Sequence, residues 1–405
     1  MQDILNQVLK EIKPSKEEQE AVNKIVKEVL SKIKIKGAKA VLGGSGAKGT
    51  WLKNSYDIDI YVKFNYNNFK EKNISSILEL NLKKSFNIEK LHGSRDYFQV
   101  KKQRFTIEIV PILEIKKADQ AKNITDISQL HVEWVRNNSS EILRDNIRLA
   151  KAFCKAQDCY GAESYIKGFS GYSLEILTIK YKSFNNLIKN IVKWKQKEII
   201  GNKELAKKLN ISKKQSPLIL IDPVQDSRNA TAALSEDKYN ILKEAARKFL
   251  KNPNKLFFEK KKFNIEELKK ISKKIIILDV VPLRKKEDVA GAKLVKCLEY
   301  IKKQLEFNDF KVKDHGFNWD KEAIFYFIME KDNLEKTKKH YGPPIKETLR
   351  LESFKEKWKG HKFFKEKNKV YTMVKRRFTR SRDFLKDFIK KDQNIKSMVS
   401  SIKLR

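Results

Sequence analysis

Gly43-Gly44-Ser45-Gly46-Ala47-Lys48-Gly49-Thr50-Trp51-Leu52 leads, after one short loop, into Asp57-Ile58-Asp59-Ile60-Tyr61-Val62-Lys63-Phe64. The first stretch reads as a glycine-rich turn whose backbone N–H groups are free to meet a phosphate. The second alternates strictly. In a strand it places Asp57, Asp59, Tyr61 and Lys63 on one face and Ile58, Ile60, Val62 and Phe64 on the other, toward a core. Two acids side by side repel each other and resist joint ionisation unless a cation lies between them. The two stretches together describe a divalent-metal platform beside a phosphate cradle.

The flanking sequence supplies what such a platform needs. Ser15 and Glu18 form a capping-box signal that opens a helix, and Ala21, Val22, Ile25, Val26, Val29, Leu30 and Ile33 give it one apolar stripe. Ala38 to Leu42 predicts a short strand entering the glycine turn. Arg104 to Pro111 alternates again, with Phe105, Ile107 and Ile109 inward and Glu108 on the opposite face. Glu108 is therefore the candidate third acid.

Composition bounds the partners. The 405 residues carry 89 Lys and Arg against 51 Asp and Glu, a net charge of +38, which points to a polyanion. A hydrophobic content of 40% supports packed cores and excludes a disordered chain. Three cysteines without a Cys-x-x-Cys pair suggest neither a disulfide framework nor a zinc site. No apolar run approaches the roughly 20 residues of a membrane span, and no signal-peptide pattern is present, so a soluble cytoplasmic protein is expected.

Further along, the predicted helix Leu143 to Lys155 stacks Arg144, Arg148, Lys151 and Lys155 on one face, where an anion is the natural compensation. Leu149, Ala150 and Phe153 hold its other side to a core. After it come Tyr160-Gly161-Ala162-Glu163, Lys167-Gly168-Phe169-Ser170-Gly171-Tyr172, and Asp222-Pro223-Val224 with Arg228-Asn229, before a helix capped near Ser235. From about residue 256 the texture changes. A strand at Ile275 to Leu278, a helix at Glu287 to Leu305, and strands at Ala323 to Met329 and Val370 to Val374 suggest a ferredoxin-like α+β module. Gly342-Pro343-Pro344, Phe354 to Trp358 and a basic stretch through Arg376, Arg377, Arg380 and Arg382 interleaved with Phe378 and Phe384 lie there. Basic and aromatic side chains in that mixture suit an RNA backbone and an exposed base.

These motifs resemble the class I, archaeal-type CCA-adding tRNA nucleotidyltransferases of the polymerase-β-like superfamily. The resemblance implies a multidomain α+β chain: a nucleotidyltransferase head at 1–139, a mainly helical central domain at 140–255, and a ferredoxin-like body with a helical tail at 256–405. It also implies addition or repair of the 3′-terminal CCA of tRNA from CTP and ATP, with two Mg2+ ions held by Asp57, Asp59 and Glu108. Ser45, Lys48, Ser128, His131, Lys151 and Tyr160 fall where the family binds the triphosphate, and Arg228 where it reads the base. Arg144, Arg148, Lys167, His340, Arg376 and Arg377 are the candidate RNA contacts, with the acceptor arm and 3′ end of tRNA as partner and a homodimer as the state relatives suggest. The chain departs from the family pattern at Glu108, where Asp is usual, and at Lys48 and Lys167, where Arg is. An enzyme adding only A or only C, a poly(A)-type nucleotidyltransferase, and an inactive RNA-binding relative stay open as alternatives.

Overall fold

Burial alternates along Asp57–Asn65, with Ile58, Ile60, Val62 and Phe64 buried and their neighbours more open, so this strand lies with one face on a core. The computed structural model describes residues 1–261, 263–320 and 322–405. The chain divides into two compact units, Met1–Lys261 and Lys262–Arg405.

In the first unit, β1 (Ala38–Leu42), β2 (Asp57–Asn65), β3 (Glu89–Leu91), β4 (Tyr97–Lys102) and β5 (Phe105–Glu114) form one sheet in the order β1-β2-β5-β4-β3. β2 and β5 run parallel; the other pairs are antiparallel. The helix Lys16–Lys32 covers this sheet with Val22, Ile25, Val26 and Val29. Its start is fixed as the sequence predicts: Ser15 Oγ accepts from the Glu18 amide at 3.2 Å, and Glu18 Oε2 from the Ser15 amide at 3.0 Å.

A second core in the same unit gathers around Phe153, Phe184 and Phe249, which come from the helices Glu141–Ala156, Phe184–Lys193 and Glu236–Lys251. The helix Gly171–Tyr181 and a small parallel pair, β6 (Glu198–Ile200) and β7 (Leu218–Leu220), complete it. The first helix, Gln2–Ile12, joins this core through Leu5 and Val8. It falls within the 1–139 stretch expected to form the head, yet packs with the helical part, because an apolar stripe does not specify its partner.

The second unit contains β8 (Ile275–Val281), the helix Glu287–Phe307, β9 (Lys311–Trp319), β10 (Ala323–Lys331), the helix Ser381–Lys391 and, further along, a strand β14 (Ser401–Leu404). The sheet order β14-β8-β10-β9, antiparallel throughout, is the βαββαβ arrangement of a ferredoxin-like module. Two expectations are corrected. The expected helical tail is the module's second crossover helix, and the chain continues into the edge strand β14. Val370 to Val374 lies in a separate sheet, formed by β11 (Thr337–Pro344), β12 (Phe363–Glu366) and β13 (Lys369–Lys375) in the order β11-β13-β12 and inserted after β10. Among the described residues no helix is long and apolar enough to cross a membrane.

Candidate active site

The parallel pairing of β2 and β5 brings Asp57 opposite Thr106 and Asp59 opposite Glu108. Gln99 on β4 also faces Glu108 and donates from Nε2 to its Oε1 at 2.8 Å. Burial, reinforced by the negative charges of Glu108 and Asp57, pushes the Asp59 carboxyl up to about 6, with Lys48 pulling the other way. Gly44 meets the same carboxylate from the glycine stretch. Its φ is +53°, and a Cβ there would lie 1.7 Å from Asp59 Oδ2, so only glycine fits.

The glycine stretch itself is a single helical turn, Gly44–Lys48, rather than an open loop. Amides expected to be free are engaged: Gly43 donates to the Asp59 carbonyl at 2.8 Å and Gly44 to Tyr61 Oη at 3.3 Å, while Ala47, Gly49 and Thr50 donate to the carbonyls of Gly43, Gly46 and Ser45 within the turn. Ser128, at the start of the helix Ser128–Asn137, shares the Tyr61 hydroxyl. Ser45 is half-buried on the same turn.

Lys48 and Lys151 converge on one buried carboxylate that sequence reasoning missed, Glu175 of the helix Gly171–Tyr181. Lys48 Nζ donates to Glu175 Oε2 at 2.8 Å, and Lys151 Nζ to Oε1 at 2.7 Å. Lys151 also donates to Thr50 Oγ1 at 2.9 Å and to the Thr50 carbonyl at 3.3 Å, which occupies its three donors. Burial opposes ionisation of Glu175, but Lys151 and Lys48 outweigh it and hold the group down to about 2. A charged residue inside the apolar run Leu174-Glu175-Ile176-Leu177 was the available signal.

The expected anion on the basic helix face is corrected by the same geometry. Arg148 is only 4% exposed; it donates from Nε to the Trp51 carbonyl at 3.1 Å and from Nη2 to the Gly49 carbonyl at 2.6 Å, and pairs with Asp145. Arg144 spends Nε and Nη2 on Ser139. The charges compensate one another inside the fold and tie the residue 49–51 loop to the helix Glu141–Ala156, so Arg148 is not placed to meet RNA. Lys155, exposed, stands over the Tyr160 ring at 5.0 Å.

A second cluster surrounds Asp222, which is fully buried. His131 stacks on Tyr172 with ring centroids 4.0 Å apart, and Arg228 Nη1 donates to Asp222 Oδ2 at 2.8 Å. Burial keeps His131 below its ordinary value although Asp222 pulls it up. Lys48 Nζ lies 5.0 Å over the Tyr172 ring and links this cluster to the Glu175 group.

Of the remaining candidates, Lys167 is exposed with φ +56°. In the second unit, His340 packs between Phe354 and Trp358, and Arg377 is exposed over the Phe378 ring at 5.0 Å. Arg376 is a correction: its guanidinium is paired with Asp309 and its Nε is buried, so it braces the unit.

Among the described residues no three acid, histidine or cysteine side chains converge to enclose a metal. Mg2+ does not need such a cage, since it is held by one or two carboxylates together with substrate phosphates and water. The mutual repulsion of Asp59, Glu108 and Asp57 fits a cation supplied with its nucleotide.

A mixed sheet bearing these acids beside a glycine turn, with a helical domain adjoining it, defines a nucleotidyltransferase. Its fold is similar to that of the Cid1 poly(U) polymerase, with a TM-score of 0.51 at 14% identity over 64% of this chain and 98% of that one. The nucleotidyltransferase domain family matches residues 22–141, the second domain of tRNA nucleotidyltransferases residues 145–259, and the C-terminal domain of CCA-adding enzymes residues 282–403. The CCA-adding enzyme of Nanoarchaeum equitans is 39% identical over 348 residues, 84% of each chain. That of Methanocaldococcus jannaschii is 30% identical over 419 residues, 96% of this chain and 91% of the relative. The chain belongs to the CCA-adding enzymes, and its activity is the addition of the 3′-terminal CCA to tRNA.

Proposed function

We propose that this chain adds C, C and A in turn from CTP and ATP without a nucleic-acid template, and that Asp57, Asp59 and Glu108 hold two Mg2+ ions for the transfer. The observation that carries this reading is the register of Asp59 with Glu108 beneath Gly44. A divalent ion bound there would stabilise charge on the α-phosphate and on the leaving pyrophosphate. The tRNA 3′-hydroxyl attacks the α-phosphate of the nucleotide and pyrophosphate departs.

The chain's own residues hold and orient the reactants. Lys48, with one donor spent on Glu175, has donors left for the triphosphate, whereas Lys151 serves by holding Glu175 and Thr50 in place. Ser45, Ser128, His131 and Tyr160 complete the phosphate contacts. Arg228 offers a fork of donors to the incoming base while its plane lies near the Tyr172 ring, at 5.9 Å. Arg144, Lys167, His340 and Arg377 contribute to tRNA binding, supported by the excess of basic residues. The test is Mg2+-dependent incorporation of labelled CTP into tRNA ending at its discriminator base, comparing the natural chain with Asp59→Ala. Loss in the variant supports the metal assignment, and retained incorporation removes it.

A further inference from the structure

Asp222 receives three hydrogen bonds on one buried carboxylate, with a histidine beside it. Tyr172 Oη reaches Oδ1 at 3.0 Å and the Val224 amide reaches the same oxygen at 2.9 Å. Arg228 Nη1 reaches Oδ2 at 2.8 Å, with His131 Nε2 at 3.3 Å from that oxygen. The Asp222 amide in turn donates to the Arg228 carbonyl at 3.1 Å, closing the 222–228 segment on itself. Among the described residues Arg228 makes its side-chain bonds through Nη1, which leaves Nε and Nη2 for a ligand, and the side chain is 32% exposed.

We infer that Asp222 is a specificity-determining positioning residue, whose buried carboxylate fixes the direction in which Arg228 presents its remaining donors to the incoming base. The inference rests on the reading of Arg228 as a base contact. The physical reason is the number of acceptors. A carboxylate can accept on both oxygens, two donors to each. An asparagine of the same shape has one acceptor oxygen. If that oxygen serves Tyr172 and Val224, its NH2 group faces the Arg228 Nη1 donor. Arg228 is then released to its other rotamers, and selection between bases by a fixed donor edge is lost. Tyr172 is part of the same support, since its ring stacks on His131 while its hydroxyl is bonded to Asp222.

The test is steady-state single-nucleotide addition by the full chain, with CTP, ATP, UTP and GTP, on tRNA lacking CCA and on tRNA ending in C-C. Asp222→Asn should raise KM for the correct nucleotide and lower its kcat/KM advantage over the wrong ones, each by roughly tenfold, the loss expected for a charge-assisted hydrogen bond. kcat for the correct nucleotide should change far less. Tyr172→Phe, which keeps the ring and removes one donor, should shift selectivity in the same direction by a smaller factor. It decides the matter if Asp222→Asn does not fold. Arg228→Ala is measured in parallel. If Arg228→Ala loses selectivity while Asp222→Asn keeps that of the natural chain, the inference is overturned and the base-contact reading stands. A fall in kcat with selectivity preserved in Asp222→Asn also overturns it. If Arg228→Ala itself leaves the preference among the four nucleotides unchanged, the base-contact reading fails, and the inference with it.

Discussion

Asp59 and Glu108 stand in register on the adjacent parallel strands β2 and β5, and Gln99 holds one oxygen of Glu108 at 2.8 Å. The pairing places a glutamate beside the acid that burial and repulsion already make reluctant to ionise. Glu108→Asp should therefore retain nucleotide transfer, and Glu108→Ala should lose it by about 100-fold or more, in line with removing charge stabilisation at a developing oxyanion. Initial rates on tRNA lacking CCA decide the point. Equal rates for Glu108→Ala and the natural chain would remove Glu108 from the site.

Gly44 approaches the Asp59 carboxylate so closely that a methyl group has no room. Gly44→Ala should push the acid aside and strain a left-handed residue, costing about 1–2 kcal/mol of stability. Transfer should fall far more than tRNA affinity does. Binding isotherms and rates measured on the same preparation check this.

Glu175 gives the fold a pH dependence. Its folded value of about 2 lies below the ordinary 4.5, so the folded chain binds fewer protons than the unfolded one between these values. The stabilisation is fully present above about pH 4.5 and is lost as pH falls toward 2. Glu175→Gln should lower stability at pH 7 by about 3–5 kcal/mol, because Lys48 and Lys151 lose their buried counter-ion. Its deficit should shrink as the pH is lowered through that window. Denaturant titrations at a series of pH values measure it.

Arg148 should behave as a brace. Arg148→Ala removes donors from the Gly49 and Trp51 carbonyls and leaves Asp145 without that partner, at a cost of about 2–4 kcal/mol. The folded fraction should bind tRNA with nearly unchanged affinity and the same salt dependence. A markedly shallower salt slope would return Arg148 to the RNA surface.

How much of this was legible follows from periodicity. Ile58, Ile60, Val62 and Phe64 alternate with Asp57, Asp59 and Tyr61, and that pattern alone places the acids on one strand face. Alternation also nominates Glu108, but its register with Asp59 depends on β2 and β5 pairing in parallel, which no local pattern states. The basic face of Glu141–Ala156 is visible as a spacing, and so is Asp145 three residues before Arg148, whereas Glu175 and the Thr50, Gly49 and Trp51 backbone acceptors are not, since they come from elsewhere in the chain. β14 is four residues long, too short for its alternation to show. The inserted sheet was misassigned because β13 has the same strand pattern as a member of the larger sheet.

The activity is tested most directly by addition of labelled CTP and ATP, with Mg2+ and no template, to tRNA ending at its discriminator base, resolved nucleotide by nucleotide. C, then C, then A is expected, all abolished together by Asp59→Ala. Addition of A alone to a C-C end, or ordered addition that survives Asp59→Ala, would contradict that expectation.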